Sequence, residues 1–306
     1  MPDALDGWRN AGKTFRFGEH AVFYRSGGRG DSGATLLCIH GLPTASWDFH
    51  RVWPGLEARF GLVLAADMLG FGFSAKPRGH TYSIAEQADL HEQLLREHGV
   101  SRVHVLAHDY GVTVAQELLA RYHERRARGD GSLQLESICF LNGGLFPETH
   151  RALLLQKLML TPLAPLLTRI LNFRGFSQSF SQVFGAQTKP NRAELEQFWR
   201  LLRYNDGTRE FYRLFHYMVE RRTQRARWVG AMQQGGVPLL LVNGPEDPIS
   251  GAHMAARYRE LIQDANVVSL PGIGHYPQVE DPAGVLRACA SLWPAAREVG
   301  HGVTQL

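Results

Sequence analysis

Asp109 stands where a strand-like run, Arg102 to Ala107 (RVHVLA), gives way to a helix-like one, Gly111 to Arg121 (GVTVAQELLAR). A carboxylate at a sharp strand-to-helix turn is anionic at neutral pH and attacks a saturated carbon without needing a base. Ala107 and Gly111 are the small neighbours that so tight a turn requires. The same position also suits a plain helix cap, because Asp accepts a backbone N–H two or three residues on. Three other loops bear on the choice. His40-Gly41-Leu42-Pro43 follows TLLCI and aims the Leu42 N–H outward, with His40, Gly41 and Pro43 supporting the turn. Pro245-Glu246-Asp247-Pro248 follows PLLLVNG, and a loop ending in His275 follows NVVSL. Taken singly, Asp247 reads as a turn residue and His275 as a structural histidine. Together they arrive in the order nucleophile, acid, histidine on successive strand ends, which is the order of a catalytic triad.

The elements that position these residues follow from periodicity. Apolar runs of strand length alternate with amphipathic runs over the first half: TLLCIHG, SWDFHRVWPGLEARF, GLVLAADM, SIAEQADLHEQLLREHG, RVHVLAHD, GVTVAQELLARYHER and LESICFLNGG. Strands buried on both faces with helices between them predict a mostly parallel, doubly wound α/β sheet. The pattern returns with PLLLVNG, a helix from Ala252 to Leu261, NVVSL, and a last helix capped by Asp281 with Pro282 in its first turn. TFRFG and HAVFYR predict an antiparallel edge hairpin. Between about Phe146 and Gly230 helical stripes replace the strand signal, among them Leu195, Phe198, Trp199, Leu202 and Phe211, Leu214, Tyr217, Met218. The division expected is a core domain over 1–145 and 231–306 and a helical cap, or lid, over 146–230, with glycines and prolines at the junctions as hinge points.

At 306 residues and 44% apolar composition the chain can bury a large core. A net charge of +4, with the basic residues scattered, gives no reason to expect a nucleic-acid partner. The run Arg221, Arg222, Arg225, Arg227 reads as a solvated helix face, with attraction of anionic substrates or of a membrane surface as the alternative. Cys38, Cys139 and Cys289 are too few and too far apart for a disulfide framework and read as buried free thiols. Without an apolar leader, and with Lys157, Arg169, Pro162 and Pro165 interrupting the apolar stretch 153–171, the expectation is a cytoplasmic protein that neither crosses nor binds a membrane. No group of residues has metal-ligand spacing, and no cofactor or metal is expected.

The motifs HGLP, DMLGFGFS, HDYG, GPEDP and GHYPQVEDP resemble those of α/β-hydrolases of the epoxide hydrolase and haloalkane dehalogenase branch, in which an aspartate replaces the serine nucleophile. The resemblance implies an α/β-hydrolase fold with an inserted cap, acting on a small apolar substrate and water as a monomer or homodimer. Asp109 would form an alkyl ester, His275 backed by Asp247 would activate water against it, and the N–H groups of Leu42 and Tyr110 would hold the oxyanion. Dehalogenases of this branch place a tryptophan after the nucleophile; here it is Tyr110, and the HGxP turn carries Leu42 rather than Asn. Epoxide hydrolases use lid tyrosines as acids. Tyr217 in LFHYMVERR is the best match, while neither Tyr204 nor Tyr212 fits a second position. The expectation is an epoxide hydrolase. The alternatives are a dehalogenase or ester or lactone hydrolase on the same framework, and a hydrolase fold kept for binding or signalling.

Overall fold

The apolar runs become strands with little change of boundary. In the computed structural model, which describes residues 3–29 and 33–293, the strands are β1 (Lys13–Phe17), β2 (His20–Gly27), β3 (Thr35–Ile39), β4 (Leu62–Ala66), β5 (Arg102–His108), β6 (Gln134–Leu141), β7 (Leu239–Asn243) and β8 (Val267–Ser269). Residues 294–306 of the expected core region lie outside the described residues. The strands form one eight-stranded sheet in the order β1-β2-β4-β3-β5-β6-β7-β8. β1 and β2 are the antiparallel edge hairpin, and every pairing from β4 through β8 is parallel. All five residues of β3 are buried, as a central parallel strand covered on both faces must be.

Registers such as Ile39 beside Ala107, His108 beside Leu141 and Asn243 beside Ser269 bring the carboxyl ends of β3, β5, β6, β7 and β8 to one edge. Ligands of open parallel sheets bind beyond that edge. Helix Tyr110–Ala127 starts there and runs back through the core, with Val112, Ala115, Leu118 and Leu119 buried. Ser83 and Asp281 cap helices Ile84–Glu97 and Pro282–Cys289 by accepting the N–H groups of Glu86 and Gly284.

The sequence expectation for SWDFHRVWPGLEARF is only partly met. The segment splits into a 3-10 turn, Ser46–Phe49, and a helix, Trp53–Arg59, because Pro54 has no N–H to continue a helix from the preceding turn and fits only a new first turn. A helix not foreseen, Ala4–Asn10, packs Trp8 edge-on against Trp47 and Trp53.

Between β6 and β7 the chain is helical, from Leu154–Leu158 to Arg225–Gln233. Phe198, Leu202, Phe211, Leu214, Tyr217 and Met218 of the two expected stripes are buried, and Leu195 and Trp199 are half-buried. The expected boundary at 230 falls inside helix Arg225–Gln233, which docks on the sheet-side helix Tyr110–Ala127: Trp228 Nε1 and Arg227 Nε both donate to Glu117, at 2.8 and 2.9 Å. The basic run is a solvated face only at Arg222, which is exposed. Arg227 pairs with Glu117 and Glu124, Arg225 with Glu148, and Arg221 is buried. The three cysteines are buried and free. Among the described residues no helix is long and apolar enough to cross a membrane.

Candidate active site

Asp109 caps nothing. It precedes helix Tyr110–Ala127 with φ 49° and ψ −107°, a left-handed conformation strained for a non-glycine residue, and its side chain makes no capping bond. Its N–H donates to the Asn142 carbonyl at 2.9 Å, which fixes the turn to the end of β6. Two glycines make room for it. A Cβ on Gly111 would press into the Ile39 and His40 carbonyls, and one on Gly41 would stand 2.7 Å from the Asp109 Cβ. The carboxylate therefore turns toward the loops. Oδ1 accepts the Leu42 N–H at 2.9 Å, and Oδ2 lies 3.4 Å from His275 Nε2.

On its other side His275 pairs through Nδ1 with Asp247 Oδ2 at 2.7 Å. The three residues singled out by motif order are thus brought together in space. Residues that sequence reasoning passed over hold it. Asp247 Oδ2 also accepts from Ser250 Oγ at 2.6 Å and Asn142 Nδ2 at 2.9 Å, while Oδ1 accepts the Ile249 N–H at 2.7 Å. His108, next to Asp109, donates Nε2–H to the His275 carbonyl at 2.8 Å. Asn142 ends the apolar run LESICFLNGG, and a polar residue terminating a buried strand at the ligand edge was the available signal. His40 braces its turn: the Met68 N–H donates to Nε2, so Nδ1 carries the proton and donates to the Gly41 carbonyl, at 2.9 and 2.8 Å. Burial depresses the His40 pKa, which favours this neutral form.

Asp109, Asp247 and His275 are all nearly inaccessible. Burial opposes charge on Asp109, but the His275 hydrogen bond and charge outweigh it and hold the carboxyl well below the usual range. Burial opposes charge on His275 too, yet the Asp247 carboxylate, with Asp109 facing Nε2, pushes its pKa up to about 10. With Asp109 free, the site is an imidazolium between two carboxylates.

Tyr110 heads its helix, so its N–H has no acceptor within the helix. Its ring meets that of Tyr217 at 4.7 Å between centroids. Tyr217 is 1% exposed, and its hydroxyl finds no hydrogen-bond partner among the described residues. Burial and then the Asp109 charge raise the Tyr217 pKa, and Arg221, whose guanidinium lies 4.7 Å over the ring, works the other way. Tyr204 and Tyr212 are not brought to Asp109: Tyr204 packs on Phe73 and accepts from Arg9, and Tyr212 lines a separate surface cavity with His80.

A cavity of about 390 Å³ opens on His275, Leu42 and Pro43 and is otherwise walled mainly by apolar side chains of the inserted segment, such as Leu155, Leu158, Phe180 and Phe215. Tyr217 is not among the residues that line it.

The chain matches the α/β hydrolase fold family over residues 34–282. It is 45% identical over 295 residues to the mesoderm-specific transcript protein of Mus musculus, covering 94% of this chain and 87% of that one. It is 39% identical over 285 residues to LipZ of Mycobacterium tuberculosis, covering 93% and 96%. Among solved structures, the haloalkane dehalogenase DbeA of Bradyrhizobium elkani superposes with a TM-score of 0.75 at 19% identity, covering 92% of this chain and 96% of that one. The epoxide hydrolase CorEH does so at 0.72 and 17%, covering 92% and 97%. At such identity these two likenesses speak to fold alone. With sheet order, strand-end loops and family match in agreement, the chain belongs to the α/β-hydrolase fold family.

Proposed function

We propose that this hydrolase-fold protein is an epoxide hydrolase with Asp109 as nucleophile. The observation that carries the reading is the Asp109 side chain, which forgoes its helix cap to sit between the Leu42 N–H and a His275 already paired with Asp247. Oδ1 occupies the place of an oxyanion, so Oδ2 is the attacking atom. It bonds to an epoxide carbon, the ring C–O bond breaks, and the electron pair goes to the ring oxygen, which takes the Tyr217 hydroxyl proton. Esterification removes the Asp109 charge that helps hold the proton on His275. The imidazole then falls toward a basicity suited to general-base work. His275 gives that proton up to solvent, to recover it when Asp109 is a carboxylate again, and the neutral imidazole then takes a proton from water, whose hydroxide adds to the ester carbonyl. Oδ1, now an oxyanion, is held by the N–H groups of Leu42 and Tyr110. Collapse releases the diol, its alcohol oxygen protonated from His275, and water's second proton restores Tyr217.

The inserted helical segment acts as the cap of this site, and its apolar cavity favours an apolar epoxide. Tyr110 and Leu42, where dehalogenases of this branch carry Trp and Asn, leave few donors for a halide. Turnover of styrene oxide and a fatty epoxide by the pure protein tests the reading. Asp109→Ala should abolish it, and Tyr217→Phe should lower kcat by about 10²-fold. Full activity on both epoxides in either variant, or no turnover of any epoxide by the unaltered protein, contradicts it.

A further inference from the structure

A second cavity, of about 460 Å³, borders the helix Tyr217–Thr223 through Met218, Arg221 and Arg222 and is of opposite character. His150, Arg151, Lys157, Arg221 and Arg222 line it, and no acidic residue does. None of the four cationic side chains has a carboxylate within ion-pair distance among the described residues. The carboxylates next to them in sequence are engaged elsewhere: Glu148 by Arg225 and Arg257, and Glu220 by the Ile84 N–H.

Arg221 is the unusual member, because a guanidinium that is 2% exposed is ordinarily paired with an acid. Here Nε and Nη2 donate to Thr113 Oγ1 at 3.2 and 3.1 Å, and Nη1 donates to His150 Nδ1 at 3.3 Å. Gly144 makes the space, since a Cβ there would collide with Nη1. A guanidinium can only donate, so His150 Nδ1 is the acceptor and its ring proton sits on Nε2. That Nε2–H is buried and without a partner among the described residues. Burial, followed by the Arg221 charge, holds the His150 pKa down to about 3, so the ring is a neutral donor. The pocket thus offers a buried charge lacking its counter-charge and a buried donor lacking its acceptor.

It is also close to the site. Tyr217 and Arg221 are one helical turn apart on helix Tyr217–Thr223, a rise of about 6 Å. Thr113 lies in the first turn after Asp109. Residues 152–160 divide between the two cavities: Leu153, Leu155 and Leu158 face the apolar one, and Ala152, Lys157 and Leu160 the basic one.

We propose that this pocket binds a carboxylate or phosphate, and that the anion is the head group of the amphipathic molecule whose apolar part fills the neighbouring cavity. Anion binding stands on the pocket alone; calling that molecule the substrate rests on the Asp109 reading. Nε2–H of His150 and the Arg221 guanidinium provide the inner donors, and Arg151, Lys157 and Arg222 the outer charge.

Calorimetric titration of the whole chain with octanoate, octyl phosphate, inorganic phosphate and octanol tests this without turnover. A triple variant, Arg151→Gln with Lys157→Gln and Arg222→Gln, changes only exposed side chains, and its thermal melt reports whether it folds. His150→Phe is the second variant, removing the inner donor while filling its space. The two amphipathic anions should bind at least about tenfold tighter than octanol, and each variant should lose about tenfold for the anions and nothing for octanol. Equal affinity of folded variants and unaltered protein for octanoate overturns the site. Inorganic phosphate binding as tightly as octyl phosphate overturns the amphipathic ligand. A protein that opens no epoxide yet binds octanoate through His150 keeps this proposal and loses the hydrolytic one.

Discussion

Asp109 and a capping aspartate differ in where the side chain goes. A cap would bend its carboxylate onto the N–H groups of the helix it begins, whereas Asp109 leaves them and meets Leu42 and His275. The charge arrangement has a consequence for pH. His275 has a folded pKa of about 10 against an ordinary value of 6.5. Its proton therefore contributes stability that is complete below about pH 6.5 and is lost as pH rises through about 10. The unfolding free energy of the unaltered protein should exceed that of His275→Gln most below pH 6.5 and converge on it toward pH 10, as read by urea denaturation. A difference that stays constant over that range, or grows, contradicts the assignment. The residues around the triad were only partly legible. Order and strand-end position pointed to Asp109, Asp247 and His275, but Asn142, Ser250 and His108 act by hydrogen bonds between distant segments and leave no pattern of their own. Arg221 did leave one. Its spacing of four from Tyr217 places both on one helix face, and the surrounding arginines masked it.

Among the elements, the loop after β8 does the joining. Glu280 accepts the N–H groups of Gly274 and Tyr276 in that loop, at 2.9 Å each. It also accepts the Gly185 N–H at 2.8 Å and the Thr188 hydroxyl from the inserted segment. His275 N–H adds a bond to the Val183 carbonyl at 2.8 Å, and Phe184 stacks on Tyr276. One carboxylate thus fastens the inserted helices to the histidine loop. Glu280→Gln would turn an amide NH₂ toward backbone N–H groups, which can only donate. It should destabilise the protein by about 2–3 kcal/mol in chemical denaturation, through donors left without acceptors. A loss under about 0.5 kcal/mol would show that the clamp carries little. The strands and the long helices were legible because burial imposes their periods. The helix Ala4–Asn10 was not, since it buries only Leu5 and Trp8 and its hold depends on Trp47 and Trp53 far along the chain.

Across the whole molecule, the parallel sheet presents its strand ends on one edge, and the segment between β6 and β7 roofs them. The roof is greasy inside and, along Leu154, Leu163, Leu166 and Ile170, outside as well. Cavity shape should then select substrates. Leu155→Trp, which narrows the apolar cavity, should raise KM for a long-chain epoxide by about tenfold while leaving propylene oxide nearly unaffected. Equal effects on both would place the reacting substrate outside that cavity. If Asp109 becomes an ester during turnover, intact mass spectrometry of His275→Gln after incubation with styrene oxide and fatty epoxides will catch it. A stable gain of one whole epoxide mass should appear, located on Asp109 by peptide mapping and absent when Asp109 is also changed to Asn. No adduct from any epoxide in that variant, or an adduct on another residue, would contradict it.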